Sequence, residues 1–173
     1  MEEIMIRKAT TDDVALLQEI GRQTFFETFA LHNSEEDMRK YLQTGFADDK
    51  MRSELSDSLS DIYFAMDGSR VIGYLKLNFG ESQTELQDSR SIEIERIYVL
   101  RAYHGKKVGQ MLYDKAVEVG LAHALDYVWL GVWEKNERAI AFYTKNGFTA
   151  FDKHIFVLGD DRQTDILMKR PLK

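Results

Sequence analysis

Residues 91–112 read SIEIERIYVLRAYHGKKVGQML, and this stretch decides the fold. Its first part alternates isoleucine with glutamate, which predicts a β-strand over Ser91–Leu100. Its last part opens a helix that runs to about His123, with apolar residues at three- or four-residue spacing: Val108, Leu112, Ala116 and Val119. A further apolar run at Tyr127–Val132 predicts a second strand. A strand, a helix and a strand in this order indicate a parallel crossover.

The segments that flank this crossover alternate between helix and strand signals. Thr10 or Thr11 and Ser34 are typical N-caps, and Asp67-Gly68-Ser69-Arg70 is a hairpin loop between two apolar runs. The other predicted elements are a strand at Met5–Ala9, helices to about Phe29, from Ser34 and at Asp48–Leu55, strands at Ile62–Met66 and Val71–Leu77, a helix at Glu137–Asn146 capped by Asn136, and strands at Phe148–Leu158 and Thr164–Lys169. This order predicts an α/β protein with a mixed sheet, in one domain over residues 1–173.

The composition narrows the classes of protein to consider. The 44% hydrophobic residues suffice for a core, and the absence of cysteine excludes disulfides, thiolate nucleophiles and cysteine metal sites. With 23 basic and 29 acidic residues the net charge is −6, which argues against nucleic acid as a partner. The four histidines have no metal-ligand spacing, so we expect no metal and interpret them as surface or structural residues.

The beginning of the chain gives no targeting signal. Glu2 and Glu3 stand where a secretory signal peptide has basic residues. No run of about 18 apolar residues occurs anywhere in the sequence. We therefore expect no membrane partner and a cytoplasmic protein.

The alternation of apolar residues slips by one position within the strand over residues 91–100. Ile92 and Ile94 share one face, whereas Ile97 and Val99 fall on the other. A β-bulge near Glu95 explains the slip, and bulges often lie beside active sites. A strand that is buried on both faces explains it as well, and the sequence leaves both interpretations open.

The turn between this strand and the helix has the composition of an anion-binding site. His104-Gly105-Lys106-Lys107-Val108-Gly109-Gln110 places glycines and lysines directly before a helix N-terminus, where main-chain N–H groups surround phosphates. The stretch is neither a Walker loop nor a dinucleotide fingerprint. Its alternative is a turn that merely begins a surface helix.

The same turn resembles motif A of the GNAT superfamily of acetyl-CoA-dependent N-acetyltransferases, Gln/Arg-x-x-Gly-x-Gly/Ala. His104 stands at the Gln/Arg position and Lys107 at the first glycine position, which are two departures, and Gly109 matches the last position. Residues 136–148, NERAIAFYTKNGF, resemble motif B, Asn-x-x-Ala-x-x-Phe-Tyr-x-x-x-Gly-Phe. Over nearly its whole length the chain is similar to the bacterial PaiA-type spermidine/spermine acetyltransferases.

The resemblance implies a mostly antiparallel GNAT sheet of about seven strands, with a splayed parallel pair at its centre, and acetyl-CoA as the cosubstrate. In this family the pantetheine arm lies along a strand edge, which implies contacts with Ile97, Tyr98 and Val99. The pyrophosphate contacts then fall on the turn: Gly105, Lys106, Lys107, Val108, Gly109 and Gln110. Asn136 and Lys145 correspond to coenzyme contacts, although Asn136 also fits a helix cap and Lys145 an exposed lysine near a helix C-terminus.

The proton transfers of acetylation point to three further residues. An alkylammonium with a pKa of about 10 must lose a proton before it attacks, and the coenzyme A thiolate must gain one. Glu93 and Glu95 are candidate bases, and their alternative is an ordinary solvent-facing role on the strand. Tyr143 stands at the general-acid position of the family, and its alternative is a core aromatic.

The resemblance places the acceptor pocket at the first two helices and the loops around the later strands. The acidic and aromatic groups there suit a cationic amine: Phe25, Phe26, Glu27, Phe29, Glu35, Trp133 and Glu134. For Glu35 the alternative is an ordinary helix start. We therefore predict direct transfer to a primary amine, with a polyamine such as spermidine or spermine as the acceptor. The alternatives are a protein N-terminal or lysine acetyltransferase and a non-catalytic CoA-binding module. Many relatives are dimers, which makes a homodimer a further expectation.

Overall fold

The computed structural model describes residues 3–173, apart from the side chains of Phe156 and Leu158, and over this range the chain forms one seven-stranded sheet and five α-helices. The elements are β1 (Ile4–Lys8), α1 (Val14–Phe29), α2 (Glu35–Gly45), α3 (Asp48–Ser56), β2 (Ser60–Asp67), β3 (Arg70–Phe79), β4 (Ser91–Val99), α4 (Val108–Ala122), β5 (Tyr127–Trp133), α5 (Glu137–Lys145), β6 (Thr149–Leu158) and β7 (Asp161–Pro171). Every predicted helix and strand is confirmed. The ends differ by a few residues, as in β7, which begins at Asp161 and not at Thr164.

The helix starts follow the predicted caps. The side chain of Ser34 accepts a hydrogen bond from the N–H of Asp37 at 3.1 Å, which fixes the first turn of α2. Thr10 and Asp13 form a reciprocal capping box around a short 3₁₀ turn that leads into α1. Polar caps that are local in sequence therefore set where these helices begin.

The sheet has the strand order β1-β2-β3-β4-β5-β7-β6, and within residues 3–173 the pair β4–β5 is the one that runs parallel. Helix α4 connects these two strands, as a parallel crossover requires. The predicted GNAT-type fold, a mixed and mostly antiparallel sheet with a central parallel pair, is confirmed.

Helices cover both faces of the sheet. Gly73 and Tyr74 are neighbours on β3 and therefore face opposite sides. A Cβ atom on Gly73 would lie 3.4 Å from Leu112, which puts α4 on that face, and α5 packs beside α4. Arg96, beside Tyr74, donates to Glu54 of α3, so α3 covers the other face, where α1 and α2 pack with it.

Strand β4 contains the predicted bulge. Lys76 of β3 pairs with Arg96, whereas Leu77 pairs with Ile94, so Glu95 is the extra residue. The residues of β4 that precede Glu95 are buried on both faces, so the alternative interpretation also describes part of the strand. The slip in alternation thus marks both a bulge and a change of burial.

The parallel pair separates where the bulge occurs. Pairing between β4 and β5 runs from Ser91–Tyr127 to Ile94–Leu130. Beyond this point β5 continues to pair with β7 up to Trp133–Asp165. Within residues 3–173, the edge of β4 that faces β5 then has no partner strand, and a gap opens at the centre of the sheet.

Candidate active site

A cavity of about 740 Å³ passes through the sheet where β4 and β5 separate. Both strands line it, β4 through residues 97–99 and β5 through residues 131–133. On the α4 side the cavity reaches the turn of residues 104–110, which we call the turn end. On the α1 side it is lined by aromatic side chains, which we call the aromatic end: Phe25, Phe29, Phe46, Tyr74 and Trp133.

The turn end presents main-chain N–H groups. Gly105 and Lys107 adopt left-handed conformations, with φ angles of 80° and 65°, and α4 begins directly after Lys107. Met111 donates to the carbonyl of Lys107 at 3.1 Å. The three N–H groups before it, at residues 108–110, have no acceptor among residues 3–173, and these three residues line the cavity. Free N–H groups at a helix N-terminus form an anion-binding site.

The two departures from motif A leave this backbone geometry in place. Lys107 takes a left-handed conformation, which glycine adopts without strain and which costs other residues about 1–2 kcal/mol. His104 fastens the turn to the strand, because its Nε2 lies 2.9 Å from the carbonyl oxygen of Val99. Arg138 donates to its Nδ1 at 2.7 Å, so the proton of the neutral ring is on Nε2, which donates to Val99.

The remaining predicted coenzyme residues divide between the cavity wall and the surface. Asn136 lines the cavity and also accepts from the N–H of Ala139 at 3.2 Å, so the cap and the cavity position coexist. Lys145 lines the cavity as well. Lys106 lies outside the wall, and its Nζ is 5.3 Å from the ring centroid of Tyr103.

Tyr143 of α5 is both a core aromatic and a wall of the cavity. Its ring contacts those of Phe142 and Phe148, each with a centroid distance of 5.5 Å, and its side chain is 6% exposed. Burial raises the pKa of the Tyr143 hydroxyl above its ordinary value, so the hydroxyl keeps its proton at neutral pH.

The two predicted carboxylate bases occupy different environments. Glu93 lies outside the cavity wall and is buried, and it accepts hydrogen bonds from Thr84 Oγ1 at 2.6 Å and from Asn78 Nδ2 at 3.0 Å. Burial raises the pKa of Glu93, although these donors oppose the rise. Its carboxylate thus ties the loop after β3 to the sheet, and the solvent-facing alternative is wrong for Glu93.

Glu95 lines the cavity and belongs to a buried ionic network. Its carboxylate accepts from Lys76 Nζ at 2.9 Å and from Arg96 Nε at 3.1 Å, and Arg96 also donates to Glu54. Two cations and two anions make this network neutral. Burial alone would raise the pKa of Glu95, but Arg96 and Lys76 outweigh it and lower the pKa to about 2.

Trp133 is one of the predicted acceptor residues that lie in the wall of the cavity, with Phe25 and Phe29. It is 6% exposed, and its ring lies 5.1 Å from that of Phe29 and 4.9 Å from that of His32, as centroid distances. The indole N–H is a buried donor without an acceptor among residues 3–173. Glu27 lines a neighbouring cavity of about 370 Å³, where it accepts from the N–H of Arg101 at 2.8 Å.

Sequence comparison identifies the family. The model of the Acetyltransferase (GNAT) family matches residues 22–148. The chain is also 41% identical over 172 residues to a Lactobacillus delbrueckii subsp. lactis protein named "Uncharacterized N-acetyltransferase in pepI 3'region", covering 99% of each chain. The chain is a GNAT acetyltransferase. The N–H groups of its turn end belong to the matched region.

Two further matches, one in sequence and one in structure, come from Thermoplasma acidophilum. The acetyltransferase is 29% identical over 153 residues to a spermidine N(1)-acetyltransferase, which covers 86% of this chain and 90% of the relative. It also superimposes, with a TM-score of 0.81 and 25% identity, on the crystal structure of a PaiA N-acetyltransferase in complex with coenzyme A, covering 98% of this chain and 99% of the other.

Three of the predicted acceptor residues lie away from the cavity wall. Phe26 is 49% exposed, because the helix spacing of α1 turns Phe25 and Phe29 inward instead. Glu35 stands in the first turn of α2, where a carboxylate favours the helix dipole. Glu134 follows β5 and is exposed.

The acetyltransferase cavity also has residues that the sequence analysis missed. Asp165 of β7 lines it, half-buried, and so do Arg96 and Arg138. Phe25 and Phe29, by contrast, were predicted for the acceptor pocket, and both line the aromatic end, since residues four apart share a helix face. Asp165 gave no such signal, because a lone polar residue in a strand has many possible neighbours.

Among residues 3–173, no group of three or more His, Asp or Glu side chains is arranged to hold a metal ion. Over the same range, none of the helices combines the length and the hydrophobicity that a membrane span needs.

Proposed function

We propose that this GNAT acetyltransferase transfers the acetyl group of acetyl-CoA to a primary amine of a small cationic acceptor, a polyamine such as spermidine or spermine. One observation carries the proposal: a single cavity joins an anion-binding turn to a pocket with aromatic rings and carboxylates on the opposite face of the sheet. An acyl donor and an amine that enter from opposite faces meet in the gap between β4 and β5.

The turn end is the proposed coenzyme site. The free N–H groups of residues 108–110 suit the pyrophosphate, and the unpaired edge of β4 at residues 97–99 suits the amides of the pantetheine arm. The coenzyme A complex of the Thermoplasma structure, to which this fold is similar over 98% of the chain, supports this arrangement. The side chains of Lys107, Arg138 and Lys145 add positive charge at this end.

Direct transfer needs a balanced set of proton movements. The acceptor ammonium first releases one proton, and the neutral nitrogen attacks the thioester carbon. The C–N bond forms, the C–S bond breaks, and the sulfur receives a proton from the Tyr143 hydroxyl. The second proton of the nitrogen then restores Tyr143, so the net reaction releases one proton to solvent. The raised pKa of Tyr143 keeps the donor protonated before the transfer.

Glu95 is the proposed carboxylate for the first proton release. It lines the cavity, whereas Glu93 lies outside the wall and is held by Thr84 and Asn78. With a pKa of about 2, Glu95 is a weak base by itself. We therefore assign it the orientation of a water molecule that accepts the proton and passes it to solvent.

The aromatic end is the proposed acceptor site. Five aromatic rings and the carboxylate of Asp165 line it, beside the neutral network that contains Glu95, and cations bind such surfaces by charge pairing and by contact with ring faces. The spermidine N(1)-acetyltransferase relative, at 29% identity, supports a polyamine.

A thiol-release assay with acetyl-CoA tests the proposal. We expect saturable, amine-dependent release of coenzyme A with spermidine, spermine and 1,4-diaminobutane, and mass spectrometry should find the monoacetylated amine. Aminoglycosides, amino acids and short peptides serve as comparison acceptors. Saturation by peptides alone would replace the proposal with a protein acetyltransferase. Coenzyme A binding without turnover on any amine would replace it with a non-catalytic module.

A further inference from the structure

Asp165 is the one carboxylate in the cavity wall that has no partner among residues 3–173. It neither accepts a hydrogen bond nor forms an ion pair there. Glu95, the other acidic residue of the wall, is neutralised by Lys76 and Arg96. The wall therefore contains one negative charge that the described chain leaves uncompensated.

The surroundings of Asp165 make this charge costly in the free protein. Burial raises its pKa, His154 on the neighbouring strand lowers it, and Glu85 raises it. His154 contacts the carboxylate of Glu85 through its Nδ1, and within residues 3–173 it makes no hydrogen bond to Asp165. A cation held against Asp165 would offset the cost of burial, whereas an anion would increase it.

The neighbour of Asp165 in the wall suits a cation as well. Asp165 and Trp133 are register partners on β7 and β5, so their side chains leave the sheet side by side. Trp133 is fixed by the rings of Phe29 and His32. A carboxylate beside an immobile indole combines charge pairing with an aromatic surface, and alkylammonium groups bind both.

We propose that Asp165 binds the non-reacting ammonium group of a diamine or polyamine acceptor, and that it sets a preference for diamines over monoamines. The inference rests on the proposed function, since it names the residue that would recognise the second charge of the acceptor. The reacting nitrogen lies in the gap between β4 and β5, and the second ammonium lies against the β5–β7 wall. Asp165 is thus a specificity-determining residue and takes no part in the proton transfers.

Two acceptors that differ only in the presence of a second ammonium group test the proposed role of Asp165. The ratio of kcat/KM for 1,4-diaminobutane to kcat/KM for butylamine is measured in the wild type, in Asp165→Asn and in Asp165→Glu. We expect Asp165→Asn to lower the ratio at least about tenfold, equivalent to about 1.4 kcal/mol, by raising KM for the diamine. Asp165→Glu should restore part of the ratio, and KM for acetyl-CoA should stay the same.

The control is Asp161→Asn, an exposed aspartate on the same strand, which should leave the ratio unchanged. An equal ratio in Asp165→Asn and the wild type would overturn the inference. Calorimetric titration of 1,4-diaminobutane into the coenzyme A complex of the protein tests the role of Asp165 separately from the proposed function, because it measures binding without acetylation. Binding that Asp165→Asn weakens supports the inference even if no amine is acetylated, and no binding to the wild type overturns it.

Discussion

The two ends of the cavity differ in the chemical groups that form them. The turn end relies on the main chain, on free N–H groups at the start of α4 and on the left-handed conformations of Gly105 and Lys107. The aromatic end relies on side chains, on rings and on the charges of Glu95, Arg96 and Asp165. Every residue except proline has an N–H group, so the turn end tolerates changes of residue type that the aromatic end does not.

The motif departures illustrate this difference. His104 and Lys107 stand where the family pattern has other residues, and the turn keeps a geometry suited to anions. At the aromatic end, by contrast, Arg96 connects Glu95 to Glu54 and lies beside Tyr74. Loss of one member there leaves a buried charge without its partner.

Tyr143, which lines the cavity from α5, gives the largest expected effect. Tyr143→Phe should lower kcat about 100-fold or more, because general acid catalysis contributes about 10²–10⁴-fold. KM for acetyl-CoA should change little, since the main chain of the turn end is intact. Steady-state kinetics of thiol release measures both constants.

Tyr113→Phe is the matched control, because Tyr113 is a buried tyrosine of α4 whose hydroxyl bonds to Arg170 outside the cavity. This control should keep kcat within about twofold of the wild type. Equal rates for Tyr143→Phe and the wild type would remove Tyr143 from the reaction.

Glu95→Gln tests how much the ionic network at the aromatic end contributes to the stability of the fold. The change leaves Lys76 and Arg96 with Glu54 alone, and we expect the free energy of unfolding to fall by about 2 kcal/mol at neutral pH. The folded pKa of about 2 lies below the ordinary 4.5, so Glu95 stabilises the fold above about pH 4.5. This contribution is lost as the pH falls toward about 2.

Urea denaturation between neutral and acidic pH measures the difference between the wild type and Glu95→Gln. The difference should be constant at neutral pH and shrink in acid. Glu118→Gln, at an exposed pair with Lys115, is the control and should change stability by less than about 1 kcal/mol. A pH-independent difference for Glu95→Gln would contradict the ionic explanation.

Gly109→Ala gives the smallest expected effect and tests the turn end. A Cβ atom there would meet only Val99 Cγ2, at 3.9 Å, so the protein has room for it. Alanine favours helix, and the free energy of unfolding should rise by about 0.5 kcal/mol. The same methyl group stands where the coenzyme should approach the main chain, and the Kd for coenzyme A should rise about tenfold. Thermal unfolding measures the expected rise in stability, and calorimetry measures the expected rise in the Kd for coenzyme A. An unchanged Kd would contradict a close approach of the coenzyme to the main chain at residue 109.

The local features of this fold were predictable because short-range interactions fix them. Apolar periodicity placed the helices and strands, and Ser34, Thr10 and Asn136 marked helix starts. The slip in alternation near Glu95 marked an irregularity, since side-chain direction in a strand follows residue parity, and the strand register identified it as a bulge. The turn before α4 was recognisable for the same reason: glycines, lysines and a helix start are neighbours in the chain.

The partners of the charged groups were not predictable. Sequence parity gave Glu93 and Glu95 equal standing, and only the fold placed Glu95 in the cavity wall and Glu93 under the loop after β3. Asp165 gave no signal at all until β7 was placed beside β5. The two ends of the cavity differ again here. The residues of the turn end are neighbours in the sequence, whereas the aromatic end is assembled from distant segments.

The sequence by itself determined the elements and the crossover, and it marked the positions of the bulge and of the glycine- and lysine-containing turn, because each depends on residues a few positions apart. Only the tertiary structure decided which carboxylates of the cavity wall are neutralised and which one has no partner among residues 3–173. Arg96 meets Glu54 across 42 positions and Lys76 meets Glu95 across 19. The strength of a charge depends on its burial and on its neighbours in space, and neither is a property of the local sequence.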